Sequence, residues 1–192
     1  MIKRIYFDID ECLIWTGFSD PYQNHVCFSL EGPLKYYSVI RPCAKNLIEF
    51  SRTLVGKENV FILTTSTLDY ARKISLLAGW GFENENILSR EVIQNHTAVG
   101  AYASRFIIPH VSADKNNILI DNLPAEDNRS KISLIGIDRT SDTNYLQVRD
   151  YYGNDINNLS FEEDITSFLI SKHEQNNTNN PVINNEHLPL RE

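Results

Sequence analysis

Three short runs of consecutive apolar residues, Ile5-Tyr6-Phe7, Val60-Phe61-Ile62-Leu63 and Ile118-Leu119-Ile120, constrain the fold of this chain most strongly. A strand with one wet face alternates polar and apolar residues, and these runs do not alternate. They read as strands covered on both faces, the pattern of a parallel sheet packed between helices. Each run ends in groups that carry chemistry: Asp8 and Asp10 after the first, Thr64 after the second, Asp121-Asn122 after the third. If the strands are parallel neighbours, all three clusters lie along one sheet edge, and in open parallel α/β sheets that edge is where ligands bind. Taken singly, each has an ordinary structural explanation as an acidic turn, a helix cap or a turn before Pro124. Their joint occurrence in this order points to one shared ligand.

The intervening sequence supplies the rest of such a fold. Val26 to Leu30 and Tyr36 to Ile40, separated by Glu31-Gly32-Pro33, read as a β-hairpin. Pro42 suits the first turn of a helix carrying Cys43, Leu47, Phe50 and Leu54 at helical spacing. After the hydroxyl cluster Thr64-Thr65-Ser66-Thr67, a helix with Ser66 or Thr67 as N-cap carries Tyr70, Ala71, Ile74, Leu77 and Ala78 on one face and stops at Gly79. Its N-terminus, with unbonded N–H groups and the helix dipole, is attractive to a phosphate. Between 81 and 116 the pattern is weak, with a short strand at Ile87-Leu88 and a helix within Thr97 to Ile108 as its readable pieces. A fifth strand is expected at Ile132 to Ile137 and a last helix from Phe161 to Ser171. Gln175 to Asn185 is mostly asparagine, so the expected division is a domain over 1–172 and a flexible tail over 173–192.

Length and composition exclude several classes. At 192 residues, 42% apolar and 22% charged, the chain has the size and balance of one ordinary soluble domain. A formal charge of −7 argues against nonspecific nucleic-acid binding, which needs a lysine and arginine surplus. No apolar stretch approaches a membrane span, and Met1-Ile2-Lys3-Arg4 leads directly into a strand rather than into a signal peptide. Cys12, Cys27 and Cys43 show no metal or disulfide spacing and read as free thiols, which places the chain in the cytoplasm or another reducing compartment. The five histidines are scattered and form no ligand pattern. Trp15 and the Tyr36-Tyr37 pair read as packing residues, at most a site rim.

Residue types then assign roles. Asp8 is the candidate nucleophile, because a carboxylate attacking phosphorus splits one hard hydrolysis into two easier steps. Asp10 would protonate the leaving oxygen and later deprotonate water. Phe7-Asp8-Ile9-Asp10-Glu11-Cys12-Leu13 resembles the first motif of the haloacid dehalogenase (HAD) superfamily phosphatases, Thr64 the second, and Ile118-Leu119-Ile120-Asp121-Asn122 the fourth. More narrowly, Ile40-Arg41-Pro42, Leu63-Thr64-Thr65-Ser66 with Tyr70-Ala71, and Ile120-Asp121-Asn122-Leu123-Pro124 are similar to the branch of small C-terminal-domain phosphatases and NIF-like proteins.

The resemblance implies an α/β, Rossmann-like (HAD-type) parallel β-sheet flanked by helices, with a small hairpin flap and no large cap domain. It implies a phosphomonoester hydrolase that forms an aspartyl-phosphate and uses Mg²⁺. The ion's ligands would be the Asp8 carboxylate, the Asp10 backbone carbonyl, and Asp121 or Asn122, with Thr64 and Thr65 binding the phosphate. Cys12 stands where a threonine is usual and removes no catalytic group. The family also uses a cationic residue, usually lysine, near the nucleophile. Lys115 is six residues before Asp121, about 20 Å away along an extended strand, so Arg105 is preferred. The narrower resemblance implies a phosphoprotein substrate, with a nucleotide or other small phosphomonoester as the rival. A phosphatase-like scaffold that binds without catalysis is the alternative of another class.

Overall fold

The computed structural model describes residues 1–18, 26–29, 35–95, 116–124, 144–153 and 158–178. Its elements are β1 (Arg4–Phe7), β2 (Ile14–Gly17), β3 (Val26–Ser29), β4 (Lys35–Ile40), α1 (Ala44–Val55), β5 (Val60–Leu63), α2 (Leu68–Leu77), β6 (Ile87–Leu88), α3 (Arg90–Asn95), β7 (Asn117–Asp121), β8 (Tyr145–Gln147) and α4 (Asn158–Thr178). The three apolar runs are the central strands of a five-stranded sheet of order β6-β5-β1-β7-β8, and every pairing in it is parallel. The expected α/β class is therefore found. From β1 the chain moves outward through β5 and β6 on one side, then crosses to β7 and β8 on the other. That reversal makes the C-terminal end of β1 the topological switch point, where a crevice opens in sheets of this kind.

Burial follows the apolar pattern. Ile5, Phe7, Ile62, Ile118 and Ile120 join the inward faces of α1 (Ala44, Leu47, Ile48), α2 (Tyr70, Ala71, Ile74) and α4 (Phe161, Ile165, Leu169) in one core. Each large side chain buried there contributes roughly 1.5–3 kcal/mol. On the opposite face Tyr6 and Leu119 are also buried, with Tyr6 stacked on Phe61. Thr67 caps α2 through its hydroxyl, which accepts the Tyr70 N–H at 3.4 Å, and Gly79, at φ 65°, ends it as expected.

Several boundaries differ from the sequence expectation. The hairpin of β3 and β4 is present, but β2 joins its other edge and makes a three-stranded antiparallel sheet of order β2-β4-β3. Ile14-Trp15-Thr16-Gly17 is rich in strand-forming residues but short, and pairing with Ile40 to Tyr37 fixes it as a strand. The fifth parallel strand among the described residues is β8, a three-residue edge strand. The strand expected at 132–137 and the helix expected within 97–108 lie outside the described residues. Pro42 sits in the turn ahead of α1, with Cys43 as the cap, rather than inside the first helical turn. The last helix begins at Asn158 and continues past Ser171 to Thr178, through the first part of the segment read as a loose tail. No helix of the described residues is long and apolar enough to cross a membrane.

Candidate functional site

The register brings the predicted groups to one edge. Phe7 pairs with Ile62 on one side and Ile120 on the other, so the residues that follow emerge together. The Asp8 N–H donates to the Ile120 carbonyl at 3.0 Å, and the Thr64 N–H donates to the Leu88 carbonyl at 2.9 Å. Asp8, Thr64, Asp121 and Asn122 are only 5%, 1%, 0% and 5% exposed. Polar groups so deeply buried must be satisfied by specific partners, and buried carboxylates especially so.

A tight turn carries the chain from Asp8 to Asp10 and back into β2. The Leu13 and Ile14 N–H groups both donate to the Ile9 carbonyl, at 2.9 and 3.1 Å. Glu11 adopts φ 59°, a left-handed conformation that costs a non-glycine residue energy and is held here by bonds on both sides. Its N–H donates to the Ile14 carbonyl at 2.7 Å, and its carbonyl accepts the Tyr151 N–H at 2.6 Å. Cys12 is buried beneath the turn, and its thiol donates to the Ile120 carbonyl at 3.9 Å, so the position holds a small donor side chain.

Both oxygens of the Asp10 carboxyl are held. Ser66 donates to Oδ2 at 3.0 Å and Tyr70 donates to Oδ1. Burial, and then the adjacent Asp10 charge and hydrogen bond, raise the Tyr70 pKa far above its ordinary value, so its single proton stays on the phenol and points at Asp10. Thr16, 2.9 Å from the Tyr70 oxygen, must then be the donor in that pair, and Ser38, 2.7 Å from Thr16, must donate to Thr16. The hydroxyls of β4, β2 and α2 thus form one directed chain ending on Asp10. Such chains polarise cooperatively.

On the other flank, Asp121 Oδ1 accepts the Leu123 N–H at 3.0 Å. The Asn122 Nδ2 donates to Asp150 Oδ1 at 3.1 Å and to Glu11 Oε2 at 3.4 Å. Its Oδ1 is buried with no hydrogen-bond partner among the described residues. An acceptor left that way costs about 1–3 kcal/mol. A hard divalent cation suits this surrounding: oxygen donors only, two buried carboxylates one residue beyond the Phe7–Ile120 pair, and an amide oxygen lacking a donor. No three His, Cys, Asp or Glu side chains of the described residues gather as a metal site on their own. The expected ligands, which rely on a backbone carbonyl and an amide, do not require such a cluster.

The helix N-terminus expected to attract phosphate is already occupied. The Leu68 N–H donates to both Glu91 carboxyl oxygens at 3.2 and 3.0 Å, and the Tyr70 N–H goes to Thr67. Thr64 Oγ1 accepts the Ser66 N–H at 3.1 Å, which orients the hydroxyl and still leaves it a proton to donate. Thr65 is exposed, and its carbonyl accepts Arg90 Nε at 2.7 Å. Arg105 and Lys115 lie outside the described residues.

Arg90, to which the sequence reading gave no role, is a cation at this edge among the described residues. Its N–H also donates to the Ser66 carbonyl at 2.8 Å, and it lines a cavity of about 390 Å³ together with Asp10, Thr16, Phe18, Tyr36 and Tyr70. Arg90 stands two residues beyond β6, where Ser89 takes the place that Thr64 holds after β5, so only the folded chain shows its approach to Thr65 and Ser66. Tyr36, Phe28 and Tyr70 form an aromatic cluster under the exposed Phe18 ring. Ser66 and Tyr70 were read from sequence only as a cap candidate and a helix-face residue, and Glu11 and Asp150 were given no part in the site, since only the folded chain shows which polar groups meet.

The fold and site together define an open parallel α/β protein with an acidic, hydroxyl-rich crevice at its switch point. No family model matches the chain, and no curated protein is significantly similar to it. Among solved structures, the chain is similar to fission yeast RNA polymerase II CTD phosphatase Fcp1 bound to beryllium fluoride, with 16% identity, a TM-score of 0.49, and coverage of 94% of this chain and 53% of that one. A second structure, of Fcp1 described as an essential RNA polymerase II CTD phosphatase, gives 18% identity, a TM-score of 0.47, and coverage of 98% and 55%. The chain therefore spans little more than half the length of either.

Proposed function

We propose that this protein is a phosphomonoester hydrolase that works through an aspartyl-phosphate on Asp8. The observation that carries this reading is the different housing of two carboxylates two residues apart. Asp8 is buried at the strand end beside Asp121 and Asn122, while Asp10 is gripped by hydroxyls at the mouth of a cavity.

In the first step an Asp8 oxygen bonds to phosphorus as the ester P–O bond breaks, and Asp10 gives its proton to the departing oxygen. In the second step Asp10 takes a proton from water, whose oxygen attacks the same phosphorus, releasing phosphate and restoring the Asp8 carboxylate. Thr64 and the guanidinium of Arg90 bind phosphoryl oxygens, with Thr65 and Arg105 as further candidates for that role. Mg²⁺, held by the Asp8 carboxylate, the Asp10 backbone carbonyl and Asp121 or Asn122, would supply charge neutralisation for the phosphate. The Ser38–Thr16–Tyr70 chain and Ser66 keep the Asp10 carboxyl turned toward the leaving group.

The substrate we propose is a phosphoprotein, supported by an exposed cavity on the Asp10 side and by the exposed Phe18 at its edge. The exposed Phe18 ring beside Tyr36 equally suits stacking of a nucleobase, so turnover of phosphopeptides against nucleoside monophosphates decides between them. The three cysteines, spaced as neither a disulfide framework nor a metal site, suit the reducing, cytoplasmic setting we propose. With an aryl phosphate and Mg²⁺, Asp8→Asn is expected to abolish turnover. Full turnover in that variant would refute the nucleophile assignment, and no turnover in the native protein would favour an inert binding scaffold.

A further inference from the structure

We infer that Asp150 is a positioning residue which, with Glu11, fixes the Asn122 amide so that its carbonyl oxygen is presented to a cation. The inference rests on the proposed metal-assisted reading and adds to it a residue outside the motifs.

A side-chain amide has a donor end and an acceptor end, and its neighbours decide which way it turns. Asp150 Oδ1 and Glu11 Oε2 stand 3.1 and 3.4 Å from the Asn122 nitrogen. Ionised carboxylates only accept. Turning the amide over would set its oxygen against two negative groups, so the nitrogen is locked outward and the buried Oδ1 is left without a donor among the described residues. That combination makes sense for a cation ligand and is wasteful otherwise.

Asp150 is itself placed by the segment that follows β8. The Val148 N–H donates to the Asp121 carbonyl at 2.8 Å, and the Tyr151 N–H donates to the Glu11 carbonyl at 2.6 Å. Gln147 Nε2 reaches the Asn122 carbonyl at 3.4 Å, and the Tyr152 hydroxyl donates to Asp150 Oδ2 at 2.8 Å. This segment is bonded both to the turn after β1 and to the residues that end β7, and within it Asp150 accepts from the Asn122 amide.

The test is Mg²⁺ titration of the full chain, read as thermal stabilisation in the presence of beryllium fluoride and without substrate. Asp150→Asn keeps the shape and an acceptor but adds a donor, so it no longer dictates the direction of the amide. It is expected to raise the half-saturating Mg²⁺ concentration about tenfold or more, the usual scale for partners of metal ligands, with little change in the metal-free melting temperature. Glu11→Gln should act in the same direction. In an Asn122→Asp background there is no amide to orient, so adding Asp150→Asn should not weaken Mg²⁺ binding further. Equal weakening in both backgrounds would show a charge effect alone and overturn the inference, as would a native-like Mg²⁺ response in both Asp150→Asn and Glu11→Gln. A native protein without any Mg²⁺ response would remove the metal reading and this inference together.

Discussion

At the scale of single residues, the most telling group is Tyr70, a helix residue whose hydroxyl serves the strand-end acid. Its proton is held by burial and by Asp10, so its folded pKa lies above the ordinary 10.0. A raised folded value means that its contribution to stability is complete below pH 10.0 and is lost as the pH rises beyond it. Tyr70→Phe should therefore flatten the alkaline loss of stability seen in pH-dependent melting. The same substitution removes one of the two donors on Asp10, and kcat with an aryl phosphate should fall about tenfold, because Ser66 still holds the other oxygen. An unchanged kcat would mean that Tyr70 only packs. The placement of Asp8, Thr64 and Asp121 at one sheet edge was readable from sequence because each directly follows an apolar run, with Asp10 two residues beyond Asp8. The direction of the Asn122 amide, the grip on Asp10 and the place of Arg90 at the cavity were not, because they depend on partners far away along the chain.

At the scale of elements, the start of α2 shows a local rule overruled by a neighbour. The sequence identifies the N-cap, and an open N-terminus there would suit an anion. In the folded chain that anion is Glu91 of α3, bonded to the Leu68 N–H. Burial alone would raise the Glu91 pKa, but the bonds from Ser89, its own N–H and Leu68, together with the charge of Arg90, lower it on balance below 4.5. The stabilisation is thus present above pH 4.5 and is lost as the pH falls through the lower folded value. Glu91→Gln should lower the melting temperature at neutral pH and leave less acid dependence, with equal melting curves at neutral pH as the contrary result. Strands β1, β5 and β7 were legible because burial on both faces leaves an unbroken apolar run. By contrast β2 and β8 are only four and three residues long, and are fixed as strands by pairing with β4 and β7.

At the scale of the whole molecule, Arg41 ties the parts together. It is fully buried at the end of β4, with its guanidinium 3.6 Å from the Phe161 ring centre on α4 and 4.5 Å from that of Tyr151, and it donates to the Arg149 carbonyl at 3.3 Å. The small sheet, the segment that carries Asp150 and the last helix therefore meet on one side chain. Arg41→Leu should cost at least about 2 kcal/mol in urea unfolding, the scale of a desolvated cation–π contact. A midpoint equal to the native one would show that the three parts hold independently. The motif Ile40-Arg41-Pro42 was visible in sequence, yet its structural use as a buried clamp was not.

The central claim is that Asp8 becomes phosphorylated while Asp10 handles protons. An aryl phosphate, whose leaving group needs no acid, lets Asp10→Asn complete the first step and stall before the second. Mass spectrometry of that variant, quenched during incubation with the aryl phosphate and Mg²⁺, should find a phosphate adduct on the peptide containing Asp8 and nowhere else. Absence of the adduct while the native protein turns over, or an adduct on another residue, would contradict the account.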